Sequence, residues 1–460
     1  MRFVGRESEL KEFHEIFTSS RFEFVVVYGR RRIGKTTLIS KACEGHRTIF
    51  HLAAKTTGTK TLSDLSTAAA AGLDEGFGIG FPTLEVFLEY IAEKAKEEPL
   101  ILVIDEFPFF CASIPEAMGV FQRCIDLRFP KTRLKLVLSG SSVSFMEHQV
   151  LGDKSPLYGR RTAQFKILPF SLQETKELFG GSDIDTVRVQ AITGGVPLYV
   201  SYFSPKKNLE EEIARLFFHV NGLLYNEPMN ILNMEVNQPQ MYFTVLELMA
   251  RGVNKHIEIS DKSGLSPTQA SYYLSTLREL GLVADILPFG EKNKKRTLWV
   301  IKDGLFLFYF KHVYPYRALI ERGRNDGVTA QLKKSFSTHM GKPFEEICKE
   351  YLLIHPELMI IEIGSWWGSD PRSKQEEEID IVARTADGEL IFGECKFTNA
   401  QVCSRELHEL MRKSENIRKG NQSGRYYLFS KSGFTKELIQ RSKEREEVVL
   451  VSLNDLMKRI

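Results

Sequence analysis

The chain has 460 residues, 43% of them hydrophobic, with a formal net charge of +3. That length gives room for about three domains, and the charge is too small for a global nucleic-acid footprint, so any basic surface is local. Six cysteines without C-x-x-C spacing argue against a disulfide scaffold or a cysteine zinc site and fit a reducing cytoplasm. Charged Arg2, Arg6 and Glu7 leave no apolar stretch for a signal peptide, and no apolar run reaches the roughly 18 residues of a membrane span.

The first apolar run, Phe22–Val27, leads into Gly29-Arg-Arg-Arg-Ile-Gly-Lys-Thr36 and an expected helix, Thr36–Cys43. This is G-x-x-x-x-G-K-T between a strand and a helix. Its glycines let successive N–H groups turn inward around an anion, and the helix adds the positive end of its dipole. Gly29, Arg30, Arg31, Arg32, Ile33, Gly34, Lys35, Thr36 and Thr37 are therefore expected to bind ATP. Lys35 would reach the β- and γ-phosphates and Thr36 would ligate Mg²⁺.

The next apolar strand, Leu100–Ile104, ends in Asp105-Glu106. A carboxylate at that end is placed to hold Mg²⁺ through water, and its neighbour to polarise the attacking water. A third strand, Leu134–Leu138, ends in Ser139-Gly-Ser-Ser142, where a hydroxyl, taken as Ser139, either meets the γ-phosphate or only closes a turn.

From Gln240 the spacing changes. Tyr242, Val245, Leu246 and Met249 form one helix, Ile257–Gly264 a short helix and turn, and Ser266-Pro267 starts a helix that ends at Gly281. Leu282–Leu287 and Thr297–Ile301 then pair as a hairpin, which completes a winged helix-turn-helix. Thr268, Gln269, Tyr272 and Arg278 are its groove candidates, and Lys292, Lys294, Lys295 and Arg296 its phosphate candidates. The partner expected from these residues is DNA; protein packing is the alternative. The aromatic run Phe306–Phe310 reads as core.

Residues 325–460 read as helix, three strands, helix, strand, helix, with strands near Met359–Ile363, Glu378–Arg384, Glu389–Phe397 and Tyr426–Ser430. Glu394 and Lys396 alternate on one strand, so they share a face, and Asp380 meets them from the preceding strand. Asp380 and Glu394 sharing a divalent metal, Lys396 activating water, and Glu345 completing the cluster would suit phosphodiester hydrolysis.

Several motifs together carry a family resemblance. Phe3-Val-Gly-Arg-Glu-Ser-Glu-Leu10 resembles the adenine-side box of AAA-type ATPases, with Gly5 and Arg6 at its centre. Pro156-Leu-Tyr-Gly-Arg-Arg161, Leu168-Pro-Phe170 and Gly194-Gly-Val-Pro197 resemble segments of the archaeal-type DEXX-box ATPases, close to the STAND group. The resemblance implies a γ-phosphate role for Arg160, within its subunit or across a boundary of a homo-oligomer. A surface salt bridge is the alternative. It also implies a nucleotide-side role for Pro197 in a helical lid.

The last segment resembles the PD-(D/E)xK nuclease core. The implied organisation is an α/β multidomain protein: a P-loop parallel-sheet core at 1–170, a helical lid at 171–235, a winged helix at 236–318 and a restriction-endonuclease-like domain at 325–460. The expected function is a cytoplasmic, Mg²⁺-dependent ATPase switch on DNA. The alternatives are a STAND-like signalling or defence regulator and a DNA-binding transcription regulator. No second motor core points to a helicase.

Overall fold

A computed structural model describes residues 3–75, 80–370, 374–418 and 423–458. The chain divides into two compact units, Phe3–Pro169 and Phe170–Ile460.

The first unit is built on five parallel strands: β1 (Glu23–Tyr28), β2 (Thr48–Leu52), β3 (Leu100–Asp105), β4 (Leu134–Gly140) and β5 (Ala163–Lys166). Their order is β2-β3-β4-β1-β5. Strands β1, β3 and β4 are buried along their whole length, which is why Phe24–Tyr28, Leu100–Ile104 and Leu136–Leu138 are unbroken apolar runs rather than alternating ones. Helices cover the sheet. Phe107, Phe110, Phe121 and Phe129 are fully buried, each worth about 1.5–3 kcal/mol of burial. Because all five strands run the same way, their carboxyl ends gather at one edge. Strand β4 lies between β1 and β3, so its end stands between the glycine loop and Asp105.

The second unit begins with helices Leu172–Phe179, Asp183–Thr193, Pro197–Val200, Leu209–Phe217 and Glu227–Glu235. Helices Pro239–Ala250, His256–Ser263 and Pro267–Glu279 follow, then the antiparallel pair β6 (Val283–Ile286) and β7 (Leu298–Ile301). Ser266 caps the third of these helices with a capping box, and Pro267 sits at its first position, as its sequence implies.

The final sheet contains β8 (Ile360–Ser369), β9 (Glu376–Thr385), β10 (Leu390–Lys396), β11 (Gly424–Ser430) and β12 (Val448–Ser452), ordered β12-β11-β10-β9-β8. Strands β8 to β10 form an antiparallel meander, closed at Gly388 with φ 88°. Helices Ser404–Ser414 and Lys436–Glu444 make the crossovers that let β10, β11 and β12 run parallel.

Two points differ from the sequence reading. Strand β8 runs on through Trp366 and Trp367 to Ser369 with two register shifts. Strand β12 was not expected, although Val448-Val-Leu-Val451 is a β-branched apolar run of the right length. The lid-like helices, the helix-turn-helix and the last sheet lie in one compact unit. Helix Gly304–His312 packs against both Asp183–Thr193 and Pro239–Ala250, and its Leu305, Phe306, Phe308, Tyr309 and Phe310 are all buried. A helix this apolar must bury most of its surface. It joins the segments that flank it.

Candidate functional site

At the carboxyl edge of the first sheet, β1 leaves the ladder at Tyr28 and the chain turns through Gly29–Gly34 into helix Lys35–Ala42. A Cβ on Gly29 would lie 2.4 Å from the Ile167 carbonyl oxygen, and Gly34 has φ 91°. Both positions require glycine. Lys35 is only 5% exposed. Its Nζ donates to Gly29 O at 2.9 Å, Arg30 O at 3.1 Å and Ser141 Oγ at 2.9 Å. The Arg31 guanidinium lies 5.7 Å from the centre of the Phe109 ring, tying the loop to helix Phe107–Ser113. Arg30, Arg32, Ile33 and Thr37 lie in the same loop and first helical turn, with Ile33 buried.

Thr36 Oγ1 donates to Asp105 Oδ2 at 2.6 Å, and Glu106 N donates to Asp105 Oδ1 at 2.9 Å. Glu106 has φ 53° and ψ 47°, a left-handed conformation that a glutamate rarely takes. Its carboxylate accepts from Ser141 Oγ at 2.5 Å and from Ser141 N at 3.3 Å. Lys35, Thr36, Asp105, Glu106 and Ser141 thus converge. The oxygen donors of Thr36 and Asp105 suit a hard cation such as Mg²⁺.

The structure corrects one expectation here and gives the setting of another. Ser139 is fully buried within the β1–β4 ladder, opposite Val27, and its hydroxyl has no hydrogen-bond partner among the described residues. Ser141, just past the end of the strand, is the hydroxyl that joins Lys35 to Glu106. Arg160 is held in an ion pair, the geometry of the salt-bridge alternative. Its Nε and Nη2 donate to the two oxygens of Asp126, each at 2.7 Å, and Nη1 donates to Pro156 O at 2.9 Å. Gly5 and Arg6 both have left-handed φ, of 66° and 65°. Arg6 pairs with Glu9 at 3.1 Å and donates to Leu168 O, which brings two of the resemblance-bearing segments together.

Pro197 lies in the second unit, at the first position of helix Pro197–Val200. The turn before it is pinned by Phe170 N donating to Gly195 O at 2.8 Å.

A second constellation lies on one face of the last sheet. Glu345, on helix Gly341–Ile354, joins Glu378 and Asp380 of β9, with a carboxylate oxygen from each within 4.8 Å of the others. Burial pushes the Glu345 carboxyl up to about 8, with the Asp380 charge adding to it. Burial likewise pushes Asp380 up to about 6, assisted by Glu394 and opposed by its hydrogen bond from Cys395 N at 2.9 Å. Lys342 Nζ donates to Glu345 Oε2 at 3.1 Å and to Glu378. These two carboxylates raise the Lys342 pKa against the opposing effect of burial.

Glu394 and Lys396 share a face as expected, but they pair with each other. Glu378 joins the cluster that the sequence reading built from Glu345, Asp380 and Glu394. Its signal was present: Glu376, Glu378 and Asp380 alternate along β9. Lys342 carried no comparable signal, because its role depends on a contact with a distant strand. The carboxylate set suits Mg²⁺ or Mn²⁺.

In the helix-turn-helix, Thr268, Gln269 and Tyr272 are exposed. Arg278 is also exposed but pairs with Asp285 at 3.1 Å. Among the described residues, no helix is long and apolar enough to cross a membrane.

Comparisons with known proteins follow this geometry. Residues 3–203 match a family described as an ATPase domain predominantly from Archaea. Residues 242–285 match the IclR helix-turn-helix domain, and residues 309–409 match a family described as archaea bacterial proteins of unknown function. The chain is 30% identical over 465 residues to uncharacterized protein MJECL04 of Methanocaldococcus jannaschii, covering 98% of this chain and 99% of that one. The Walker-type ATPase PABY2304 of Pyrococcus abyssi superposes with a TM-score of 0.52 at 18% identity, covering 67% of this chain and 96% of that one. The Aeropyrum pernix ORC2 protein, in its ADPNP-ADP complexes, superposes with a TM-score of 0.44 at 14% identity, covering 70% of this chain and 96% of that one. The chain belongs to the archaeal-type ATPase family it shares with its full-length Methanocaldococcus relative, in which a P-loop ATPase domain precedes a helix-turn-helix and a C-terminal mixed-sheet domain.

Proposed function

We propose that this protein is a Mg²⁺-dependent ATPase that acts as a nucleotide switch on DNA, and that its C-terminal module binds DNA and hydrolyses phosphodiester bonds. The observation that carries the first half is the connected set Lys35–Ser141–Glu106 beside Thr36–Asp105. Lys35 exchanges its loop carbonyls for the phosphates of ATP. Thr36 and Asp105 hold Mg²⁺, which when bound neutralises charge on the transferring phosphoryl group. Glu106 orients the attacking water and accepts its proton. Ser141 links the lysine that senses the nucleotide to the carboxylate that acts on the water, so occupancy at one is felt at the other.

The second half is supported by the exposed start of helix Pro267–Glu279 and by the carboxylates on β9. Glu345, Glu378 and Asp380 would hold the divalent ion that supplies Lewis-acid chemistry for the hydrolysis. Lys396, fixed by Glu394, would position the water. The four segments proposed from the sequence divide this work as core, lid, reader and effector.

Two assays test the proposal. Lys35→Ala and Glu106→Gln should each abolish ATP turnover, with Glu106→Gln still binding ATP. Wild-type turnover by Lys35→Ala ends the ATPase reading. Plasmid nicking with Mg²⁺ or Mn²⁺ should be lost in Asp380→Asn and in Lys396→Ala, and equal nicking by both variants removes the nuclease assignment.

A further inference from the structure

Two lysines of helix Gly341–Ile354 flank Glu345, one turn to either side, and they are held differently. Lys349 Nζ donates to Glu346 Oε1 at 2.7 Å and to Ser365 Oγ at 3.0 Å, away from the carboxylate cluster. Lys342 Nζ reaches the cluster itself. It donates to Glu345 Oε2 at 3.1 Å on its own helix and to Glu378 on β9. The Lys342 side chain is 60% exposed and that of Glu345 only 10%, so the ammonium comes to the cluster from its solvent side.

Glu345, Glu378 and Asp380 each place an oxygen within 4.8 Å of the others. Carboxylates that close repel one another, most strongly where they are buried, and a positive charge among them relieves the repulsion. An ammonium has three donors and no acceptor, so it engages the same carboxylate lone pairs that a divalent ion needs as ligands. Two cations at one pair of carboxylates would also repel each other. Metal and lysine therefore compete for Glu345 and Glu378. The lysine sits on a flexible, exposed stem and can swing into water when it loses.

We infer that Lys342 is a tethered stand-in for the divalent ion, which ties up the carboxylate cluster until the ion displaces it and so lowers the affinity of the site for metal. The inference rests on the reading that this cluster holds a divalent ion, and it adds a control on metal loading.

The test titrates the full-length protein with Mn²⁺, without nucleotide or DNA, and reads the free ion by electron paramagnetic resonance. Only the binding that Asp380→Asn loses is counted, which separates this site from Thr36 and Asp105. Lys342→Met should bind Mn²⁺ about 5- to 30-fold more tightly than the wild type. Lys342→Arg keeps the charge and should stay within about threefold of the wild type. A second measurement needs no variant. Wild-type protein is pulse-acetylated with an N-hydroxysuccinimide ester and mapped by mass spectrometry. Mn²⁺ should speed labelling of Lys342 about threefold or more, because the released amine is no longer held protonated by two carboxylates. Labelling of Lys349 should not change.

Lys342→Met that binds Mn²⁺ no more tightly than the wild type overturns the inference. So does a Lys342 labelling rate that Mn²⁺ leaves unchanged or slows, and this result decides alone if Lys342→Met fails to fold. If neither the wild type nor Lys342→Met takes up any Mn²⁺ that Asp380→Asn loses, the metal reading beneath falls and the inference with it.

Discussion

The Thr36 hydroxyl and the Asp105 carboxylate are joined by a 2.6 Å hydrogen bond between the helix after the glycine loop and the end of β3. Asp105 is 1% exposed, and its second oxygen accepts from Glu106 N. Both oxygens are therefore fixed before a ligand arrives. Asp105→Asn keeps the shape but halves the acceptor capacity and removes the charge. ATP turnover should fall roughly 100-fold. Affinity for ATP without Mg²⁺ should stay within about threefold, because the carboxylate acts on the cation rather than on the phosphates. Calorimetry with and without Mg²⁺ separates the two. Equal weakening in both conditions would assign Asp105 to the phosphates instead.

Ser141 couples the two charged groups of the site. It accepts from Lys35 at 2.9 Å and donates to Glu106 at 2.5 Å. Ser141→Ala leaves Glu106 with a single, longer bond from the Ser141 backbone. The water-orienting carboxylate would then wander, and kcat should drop about tenfold while KM changes by less than about threefold. Ser141→Thr should recover most of the rate. A variant that lost ATP affinity with normal kcat would place Ser141 on the nucleotide rather than behind Glu106.

The glycine loop and the Asp105-Glu106 strand were legible because each is a local pattern with a local cause. The loop needs glycine where a Cβ would strike Ile167 O, and β3 needs an unbroken apolar run because both its faces are covered. The insertion of β4 between β1 and β3 was not legible. Strand order depends on crossovers that no residue pattern encodes. That order decides which serine matters, since Ser139 is still inside the ladder and Ser141 has just left it. The β9 carboxylates were half legible. Alternation puts Glu378 beside Asp380, but the Lys342 contact that reveals its setting joins residues 36 positions apart.

Arg160 faces a direct test against Asp126. The pair is bidentate, with side chains 27% and 40% exposed, the setting of a surface salt bridge worth at most about 1 kcal/mol. Arg160→Ala and Asp126→Ala should each cost about that much in a urea melt, and ATP turnover should stay within about twofold in both. An arginine that stabilises phosphoryl transfer is worth roughly 1,000-fold or more in rate. A loss of that size in Arg160→Ala, with Asp126→Ala normal, would return the arginine to the phosphate.

Two buried histidines make the second unit sensitive to acid. His312 and His339 lie with ring centres 4.8 Å apart, and His339 also packs against Phe308 and Phe336. His312 Nε2 and both His339 nitrogens have no hydrogen-bond partner among the described residues, and Ser335 Oγ is 3.5 Å from His312 Nδ1. Burial pushes His312 down to about 4, with Lys311 adding to it. Burial also lowers His339 well below its usual value, with His312 and Lys311 contributing. Both rings are therefore neutral when folded, while the unfolded chain takes up their protons near pH 6.5. The sign follows: this stability is fully present above about pH 6.5 and is lost as the pH falls toward 4, because the unfolded state binds more protons across that window. For His312 alone the loss is on the order of 3 kcal/mol. Urea denaturation at several pH values should show the decline, and His312→Leu should flatten part of it. A slope in His312→Leu equal to that of the wild type would mean the ring is already charged or solvated in the folded protein.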